Sequence, residues 1–383
     1  MYREKIALIF SYNEQWIGGT YYITNLIAAL GLLPDVDKPE LIILSNKKDF
    51  KYLCSLVNYP YLIFDELNEN PSSKLLKTLN RVSQRLIKKK IFKRRFKEEV
   101  LAVFPFRNVN YLEKVPVKKR IFWIPDFQEK HYPGFYSQEH LERELEVNTK
   151  IVTESKKLLL SSQDAENDLK RYYPNYTTTP FVVHFAVDVP KKLDLDRTEL
   201  LKKFELPKEF YFSPNQFWRH KNQILVIKAV EILKSQGVNV CVAFSGREYD
   251  YRSPDYTIEL KEYVINNNLS DNIKFLGFID RSDQLKLLET CRAIIQPSLF
   301  EGWSTVIEEA MAFNKLILTA DLNVNKEQLG QKGVYFDRYN PSSLAGLIHK
   351  INEFPMFIDY NYKNKQLKFA MDFLNCVTLK LEK

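Results

Sequence analysis

Ala293-Ile294-Ile295-Gln296-Pro297-Ser298-Leu299-Phe300-Glu301-Gly302-Trp303-Ser304-Thr305-Val306-Ile307-Glu308-Glu309-Ala310 reads as a buried strand, a loop and the first turns of a helix. The run Ala293-Ile294-Ile295 is apolar without alternation, which suits a strand covered on both faces. Ser304 and Thr305 suit a helix start, and the helical pattern runs from about 304 to 313. The next strand is Leu316-Ile317-Leu318. Toward the amino terminus, Phe210-Tyr211-Phe212, a helix at about 222 to 234, Val240-Cys241-Val242-Ala243-Phe244, a helix near 256 to 267, Ile273-Lys274-Phe275-Leu276 and a helix near 282 to 290 continue the alternation. Strands alternating with helices imply an α/β fold with a doubly wound parallel sheet.

The first half opens in the same way. Ile6-Ala7-Leu8-Ile9-Phe10 is followed by a loop containing Gly18-Gly19, a helical pattern through Leu30 and the strand Leu41-Ile42-Ile43-Leu44. Further strands are expected at Ile121-Phe122-Trp123-Ile124 and Leu158-Leu159-Leu160, the second leading into Ser161-Ser162-Gln163-Asp164 as a helix start. A length of 383 residues suggests two domains. The linker is expected at Asp188-Val189-Pro190-Lys191-Lys192, giving a first domain over 1–187, a second over 188–355 and a tail over 356–383. Open sheets bind ligands at the carboxyl ends of their strands, so two such domains facing each other enclose a cleft.

With 45% apolar and 27% charged residues, the chain has the balance of a globular protein. Its opening apolar run ends at Phe10, too short for an export signal, and no stretch approaches the roughly 18 apolar residues that cross a bilayer. A cytoplasmic protein is expected, one that meets a membrane only at its surface. Cys54, Cys241, Cys291 and Cys376 lack C-x-x-C spacing, and the five histidines never approach H-E-x-x-H. Neither a disulfide framework nor a bound metal is expected. Asp35-Val36-Asp37 and Asp194-Leu195-Asp196 lie among turn-like charged residues and read as chance triplets.

Glu301 sits on the loop after the deciding strand, and Glu309 lies further along its helix. Backbone N–H groups at Ser304 and Thr305, with the helix dipole, favour an anion such as a phosphate. Two carboxylates at different depths can accept hydrogen bonds from sugar hydroxyls at two places on one ligand. Taken alone, the pair reads more plainly as solvated surface charge. The whole segment, however, resembles the E-x-seven-E motif of retaining glycosyltransferases of family 4, which have the GT-B fold of two facing Rossmann-like domains. The resemblance implies that Glu301 lies near the donor sugar, that Glu309 hydrogen-bonds the nucleotide ribose, and that Gly302, Trp303, Ser304 and Thr305 line the donor site.

Ser213-Pro214-Asn215-Gln216-Phe217-Trp218-Arg219-His220-Lys221-Asn222 is a second strand, loop and helix start. Its two cations at a helix N-terminus need an anion between them or are simply a solvated basic turn. The segment is similar to the family loop in which an arginine and a lysine neutralise the departing diphosphate, which implies Arg219 and Lys221. Family members often have glycine where this chain has Asn215. Gly18-Gly19 resembles the glycine-rich loop of the family, with Gly19 near the donor phosphates or acceptor, and it is not the G-x-G-x-x-G of a dinucleotide oxidoreductase. Trp123-Ile124-Pro125-Asp126-Phe127-Gln128 occupies the place of the family's His-Asp pair and resembles a variant found in polysaccharide-building members. Asp126 orients an acceptor hydroxyl, orients a donor hydroxyl or caps a turn, and the sequence leaves these three open. Gly246 after a strand, and Gly277-Phe278-Ile279 with backbone for the nucleotide base, are further donor-site candidates or strand-end turns. All four tryptophans, Trp16, Trp123, Trp218 and Trp303, fall in these loops, which suits stacking or core packing.

From Lys74 to Glu99 there are eleven Lys or Arg and two Glu, interspersed with Leu75, Leu76, Leu79, Leu86, Ile87, Ile91, Phe92 and Phe96. This predicts an amphipathic basic helix, drawn to an anionic membrane surface, to nucleic acid, or merely solvated. Lipid-linked acceptors, which the resemblance implies, favour the membrane at the inner face of the cell; no nucleic-acid recognition motif is present. The implied activity is metal-independent, retaining transfer of a hexose from a UDP- or GDP-linked sugar, with no cofactor. The acceptor is a saccharide or a lipid-linked saccharide, as in surface polysaccharide or O-antigen synthesis. The rival readings are a protein that binds a nucleotide sugar without turnover, a nucleic-acid-binding protein, and a glycoside phosphorylase, for which no pyridoxal-binding lysine is evident.

Overall fold

The computed structural model describes residues 3–13, 17–68, 70, 73–88, 91–190 and 193–379. Lys191 and Lys192 of the expected linker, Lys89 and Lys90 of the basic segment, and Trp16 lie outside the described residues.

Continuous apolar runs build the sheets. In the first half, β1 (Lys5–Ile9), β2 (Glu40–Ser45), β3 (Leu62–Glu66) and β4 (Ala102–Phe104) form one parallel sheet in the order β3-β2-β1-β4. A second parallel sheet, β5 (Ile121–Ile124), β6 (Lys157–Leu160) and β7 (Thr179–Val182), meets it through the parallel bridge between Val103 and Arg120. Ile6 pairs with Leu41 on one side and Ala102 on the other, so β1 is central and wholly buried from Ile6 on. The second half forms one six-stranded parallel sheet in the order β10-β9-β8-β11-β12-β13. Its strands are β8 (Tyr211–Pro214), β9 (Val242–Ser245), β10 (Ile273–Phe275), β11 (Ala293–Gln296), β12 (Ile317–Ala320) and β13 (Val334–Phe336). In both halves the order reverses beside the first strand, which is the switch point where doubly wound sheets open a ligand crevice.

Helices cover both faces of these sheets. Leu225, Val226, Ala229, Val230 and Leu233 of the helix Gln223–Ser235 pack on one face of the second sheet, with Leu344 and Ile348. Leu287, Leu288, Ile307, Ala310 and Met311 cover the other. Two details differ from the expectation. Gly18 and Gly19 lie in the first turns of the helix Ile17–Gly31 rather than in a loop, and the helix of the basic segment ends at Ile87. The last helix, Tyr362–Thr378, returns to the first half, where Phe369, Ala370, Phe373, Cys376 and Val377 join the core of Ile6, Leu8, Tyr22 and Leu26.

Candidate functional site at the cleft between the sheets

The loops that follow β1, β8, β9, β10 and β11 converge on a cavity of about 450 Å³ between the two halves. Tyr12, Gly18, Tyr21 and Tyr52 come from the first half; Asn215, Gln216, Lys221, Gly246, Arg247, Phe278, Ile279, Arg281, Glu301, Thr305 and Glu309 come from the second. Its floor is a hydrogen-bonded chain. Asn215 Nδ2 donates to Gln296 Oε1 at 2.8 Å, Gln296 Nε2 donates to Glu301 Oε1 at 2.6 Å, and Lys221 Nζ reaches the same oxygen at 2.6 Å. The Glu301 side chain is only 8% exposed, so its charge is sustained by Lys221 and the Gln296 amide rather than by water. Glu309 is 2% exposed and bonds Arg281 at 2.5 Å, while the Arg281 guanidinium lies 5.1 Å from the Tyr21 ring across the cleft. Thr305 opens the helix Thr305–Ala312, so that helix points its N-terminus at the cavity.

Two glycines permit this closeness. A Cβ at Gly246, where φ is +150°, would collide with the Asn215 carbonyl, so only glycine lets the loops after β8 and β9 touch. A Cβ at Gly302 would stand 2.7 Å from Asp126 Oδ2 and 2.9 Å from the Pro125 carbonyl. Asp126, from the first half, is thereby pressed against the Glu301-Gly302 loop of the second. Burial, followed by the nearby Glu301 charge, pushes its carboxyl up to about 6, against the opposing pull of the Gln128 N–H, which donates to Asp126 Oδ1 at 3.0 Å, and of Lys221. Glu129 beside it is pushed up to about 7, chiefly by burial.

Several expected residues stand elsewhere. Arg219 does not line the cavity: its guanidinium donates to both Glu259 oxygens at 3.0 Å and lies 4.9 Å from the Tyr256 ring. The turn Arg219–Lys221 is a single 3-10 turn, so its two cations leave on different sides and only Lys221 faces the cleft. Trp303 is packed away from the cavity, with its indole stacked on His184 at 4.3 Å and its Nε1–H shared between the Phe185 carbonyl and Glu308. The Ser304 N–H is donated to Gln328 Oε1 at 3.3 Å, which leaves the helix start open to a ligand at Thr305 rather than Ser304. Gly19 lines a smaller cavity of about 110 Å³ beside the main one, with Ser11, Thr20, Arg107 and Trp123.

Gln216, Arg247, Arg281 and Tyr21 line the cavity without having been expected there. Gln216 lay inside the quoted Ser213–Asn222 segment, and its place directly after β8 was the available signal. Tyr136 of the first half and Trp218 of the second flank Arg252 at 5.3 and 5.0 Å, closing the cleft beyond Lys221. Among the described residues, no group of three or more His, Cys, Asp or Glu is arranged to hold a metal ion.

Two doubly wound domains with a polar, cation-lined crevice between their switch points define a protein of the GT-B fold. Within the second domain, residues 196–364 match Glycosyl transferases group 1. The O-antigen chain mannosyltransferase RfbU of Salmonella typhimurium strain LT2 is 26% identical over 179 residues, which are 46% of this chain and 48% of the relative. The match thus spans about half the length of that curated relative. Anabaena Alr3699/HepE, solved in complex with UDP and glucose, aligns over 97% of this chain and 94% of its own at 15% identity and a TM-score of 0.60. WaaG, a glycosyltransferase involved in lipopolysaccharide biosynthesis, aligns over 96% and 95% at 10% identity and a TM-score of 0.56. At these identities the solved structures establish the fold.

Proposed function

We propose that the protein transfers a hexose, with retention of configuration, from a nucleotide-sugar donor to a saccharide or lipid-linked acceptor in surface polysaccharide synthesis. The observation that carries this reading is the Asn215-Gln296-Glu301-Lys221 chain on the cleft floor, facing Asp126 of the other domain at the Gly302 contact. Residues 188–355 hold the donor and residues 1–187 the acceptor. Glu309 and the backbone at Gly277, Phe278 and Ile279 take the nucleoside. Lys221, Arg247 and the Thr305 helix start take the diphosphate, the place assigned in the sequence to Arg219. Glu301, with Asn215 and Gly246 packed behind it, meets the sugar.

In the reaction, the bond from the anomeric carbon to the diphosphate oxygen breaks and its electron pair leaves with the diphosphate. The acceptor oxygen bonds that carbon on the same face, and its proton passes to the departing oxygen. Lys221 and the helix dipole oppose the charge that develops on the leaving group, in a partly dry site where such stabilisation is strongest. Asp126, across the Gly302 contact, orients the acceptor hydroxyl. The RfbU likeness supports a hexose, carried on a UDP- or GDP-linked donor.

The test is calorimetric titration with UDP, GDP and their hexose conjugates in chelator, on the native chain and on Lys221→Ala and Glu309→Ala. Micromolar binding of one nucleotide, weakened by both substitutions, is the expected result. A folded protein that binds none of them would remove the reading.

A further inference from the structure

Tyr12, Tyr21 and Tyr52 come from three elements of the first domain and line one wall of the 450 Å³ cavity. Tyr12 follows β1, Tyr21 lies on the helix Ile17–Gly31, and Tyr52 lies on the helix Lys47–Leu56, which follows β2. Asp49, itself buried, sets two of them side by side. It stands in the first turn of the helix Lys47–Leu56, where its N–H is donated to Asn46 Oδ1 at 2.8 Å. Its Oδ2 accepts the Tyr12 N–H at 3.2 Å and the Asn46 Nδ2–H at 2.9 Å. The loop after β1 is thereby pinned to that helix, and the Tyr12 and Tyr52 rings meet with centroids 4.7 Å apart. Burial, and after it the Tyr21 and Tyr12 phenols nearby, hold the Tyr52 hydroxyl above its ordinary value, which marks the three as one group.

The wall belongs to one end of the cleft. The Tyr21 ring lies 5.1 Å from the Arg281 guanidinium, which bonds Glu309 at 2.5 Å. Glu309 is one turn further along the helix that Thr305 opens, so this end stands apart from the helix start and from Lys221 and Glu301. In the second domain, Phe278 lines the same cavity with its side chain 68% exposed. Rings in both walls, with the Glu309 carboxylate between them, suit a ligand with a flat aromatic face and neighbouring hydroxyls. We infer that Tyr12, Tyr21 and Tyr52 form a first-domain clamp on the donor's nucleoside, with the base against the Tyr12–Tyr52 pair and the ribose between Tyr21 and Glu309. The inference rests on the nucleotide-sugar reading and goes beyond it, because that reading leaves the donor to residues 188–355 alone. Every base has a face that can stack, so the clamp adds affinity without choosing between uracil and guanine.

The experiment is titration calorimetry of the full chain with UDP, GDP and inorganic pyrophosphate. The variants are Tyr12→Ala with Tyr52→Ala, Tyr12→Phe with Tyr52→Phe, Tyr52→Ala alone, and Glu309→Ala as the second-domain comparison; thermal melting checks that each folds. The double alanine variant is expected to bind the nucleoside diphosphate roughly tenfold more weakly than the native chain, and the double phenylalanine variant within about threefold of it, because ring faces make the contact. Tyr52→Ala alone is expected to show part of the same loss and carries the test where the double variant melts early. Pyrophosphate, which has no nucleoside, is expected to bind the native and alanine chains alike. Native nucleotide affinity in the alanine variants, beside a loss in Glu309→Ala, would overturn the clamp and leave the nucleotide-sugar reading standing. So would a phenylalanine variant as weak as the alanine one, or a matching loss of pyrophosphate binding, which would mean a displaced cleft. A native chain that binds neither nucleotide would remove that reading and the clamp with it.

Discussion

Asp126 offers a direct test of how the cleft is built, because the same burial that places it against the Gly302 loop disfavours its charge. Its carboxyl sits near 6 in the folded protein and near 3.8 in an unfolded chain. At neutral pH the folded state therefore carries an ionised group whose burial costs at most about 3 kcal/mol; partial solvent contact makes that an upper bound. The sign follows from proton uptake. As pH falls through 6, the folded state binds a proton that the unfolded chain takes up only near 4, so stability rises, by about 1.4 kcal/mol between pH 7.5 and 5. Glu129, held near 7, contributes in the same direction and starts earlier. Asp126→Asn keeps the acceptor oxygen for the Gln128 N–H and removes the charge. It should stabilise the protein at pH 7.5 by about 1–3 kcal/mol and reduce the gain on acidification by the Asp126 share. Urea unfolding of both proteins at pH 7.5 and 5 measures this. The same variant should lose roughly 100-fold in transfer rate, since it no longer holds the acceptor as an anion would, with donor binding changed little. An Asp126→Asn variant no more stable than the native protein at pH 7.5, or one with the native pH slope intact, would refute the account of Asp126 as a desolvated carboxylate.

Other perturbations separate the cleft's parts. Arg219→Ala should change donor binding by less than about threefold, because its guanidinium is engaged with Glu259 outside the cavity, whereas Lys221→Ala should weaken it by roughly tenfold or more and also destabilise the fold by about 3 kcal/mol by stranding Glu301; titration calorimetry and urea melts of both variants read this. Gly246→Ala should cost about 1–3 kcal/mol in urea unfolding and abolish measurable donor binding, since the added methyl meets the Asn215 carbonyl and pushes the loop after β9 off the one after β8. Glu308→Ala should lower stability by about 3–5 kcal/mol without touching the cavity, because it leaves the buried donors of Trp303, Gln328 and Tyr362 with no common acceptor; circular-dichroism melting checks it.

The parts of this molecule legible in the sequence are those whose cause is local. β1, β2, β9 and β11 are built on apolar runs of Ala, Ile, Leu, Val and Phe, β8 follows the run Phe210-Tyr211-Phe212, and a strand buried on both faces needs little else. β3, β4, β7 and β13 were not expected: β4 and β13 are three residues long, β3 ends in Asp65-Glu66 and β7 holds Thr179-Pro180, so their neighbours in the sheet rather than their own pattern make them strands. Lys221, Glu301, Thr305 and Glu309 reach the cleft because each lies just past a strand end or on the helix that follows, and that placement is readable from spacing. Arg219 stands outside the cavity for a reason spacing does not carry: a 3-10 turn sends residues two apart to different sides, and Glu259, forty residues on, pairs with the outer one. Trp303 likewise looked like a ligand contact from its loop, but its N–H finds the Phe185 carbonyl and Glu308, partners supplied by the linker and the helix. Arg281 and Tyr21 meet across the cleft from segments about 260 residues apart and have no motif.

Those same long-range partners show where the two domains are joined firmly and where they are joined lightly. Near the linker, Trp303 donates to the Phe185 carbonyl and Tyr362 accepts the Val187 N–H while donating to Glu308. Gln366 donates to the Val187 carbonyl, and Glu327 of the second domain takes the N–H groups of Gln163 and Asp164 at the start of a first-domain helix and bonds His184. Apart from the exposed Gln163 N–H, these groups are buried or partly buried, and separating them would strand charge and donors together. At the mouth of the cleft the cross-domain contacts are of another kind: Arg281 over Tyr21, Arg252 over Tyr136, and the Tyr132 hydroxyl on the Leu299 carbonyl at 3.2 Å. Cation–π contacts of this sort contribute about 0.5–2 kcal/mol each and re-form in water with little loss. If the two sheets' domains separate, the mouth contacts are expected to break before the buried hydrogen bonds near residues 183–188, and Arg281 to keep its pairing with Glu309 as it leaves Tyr21.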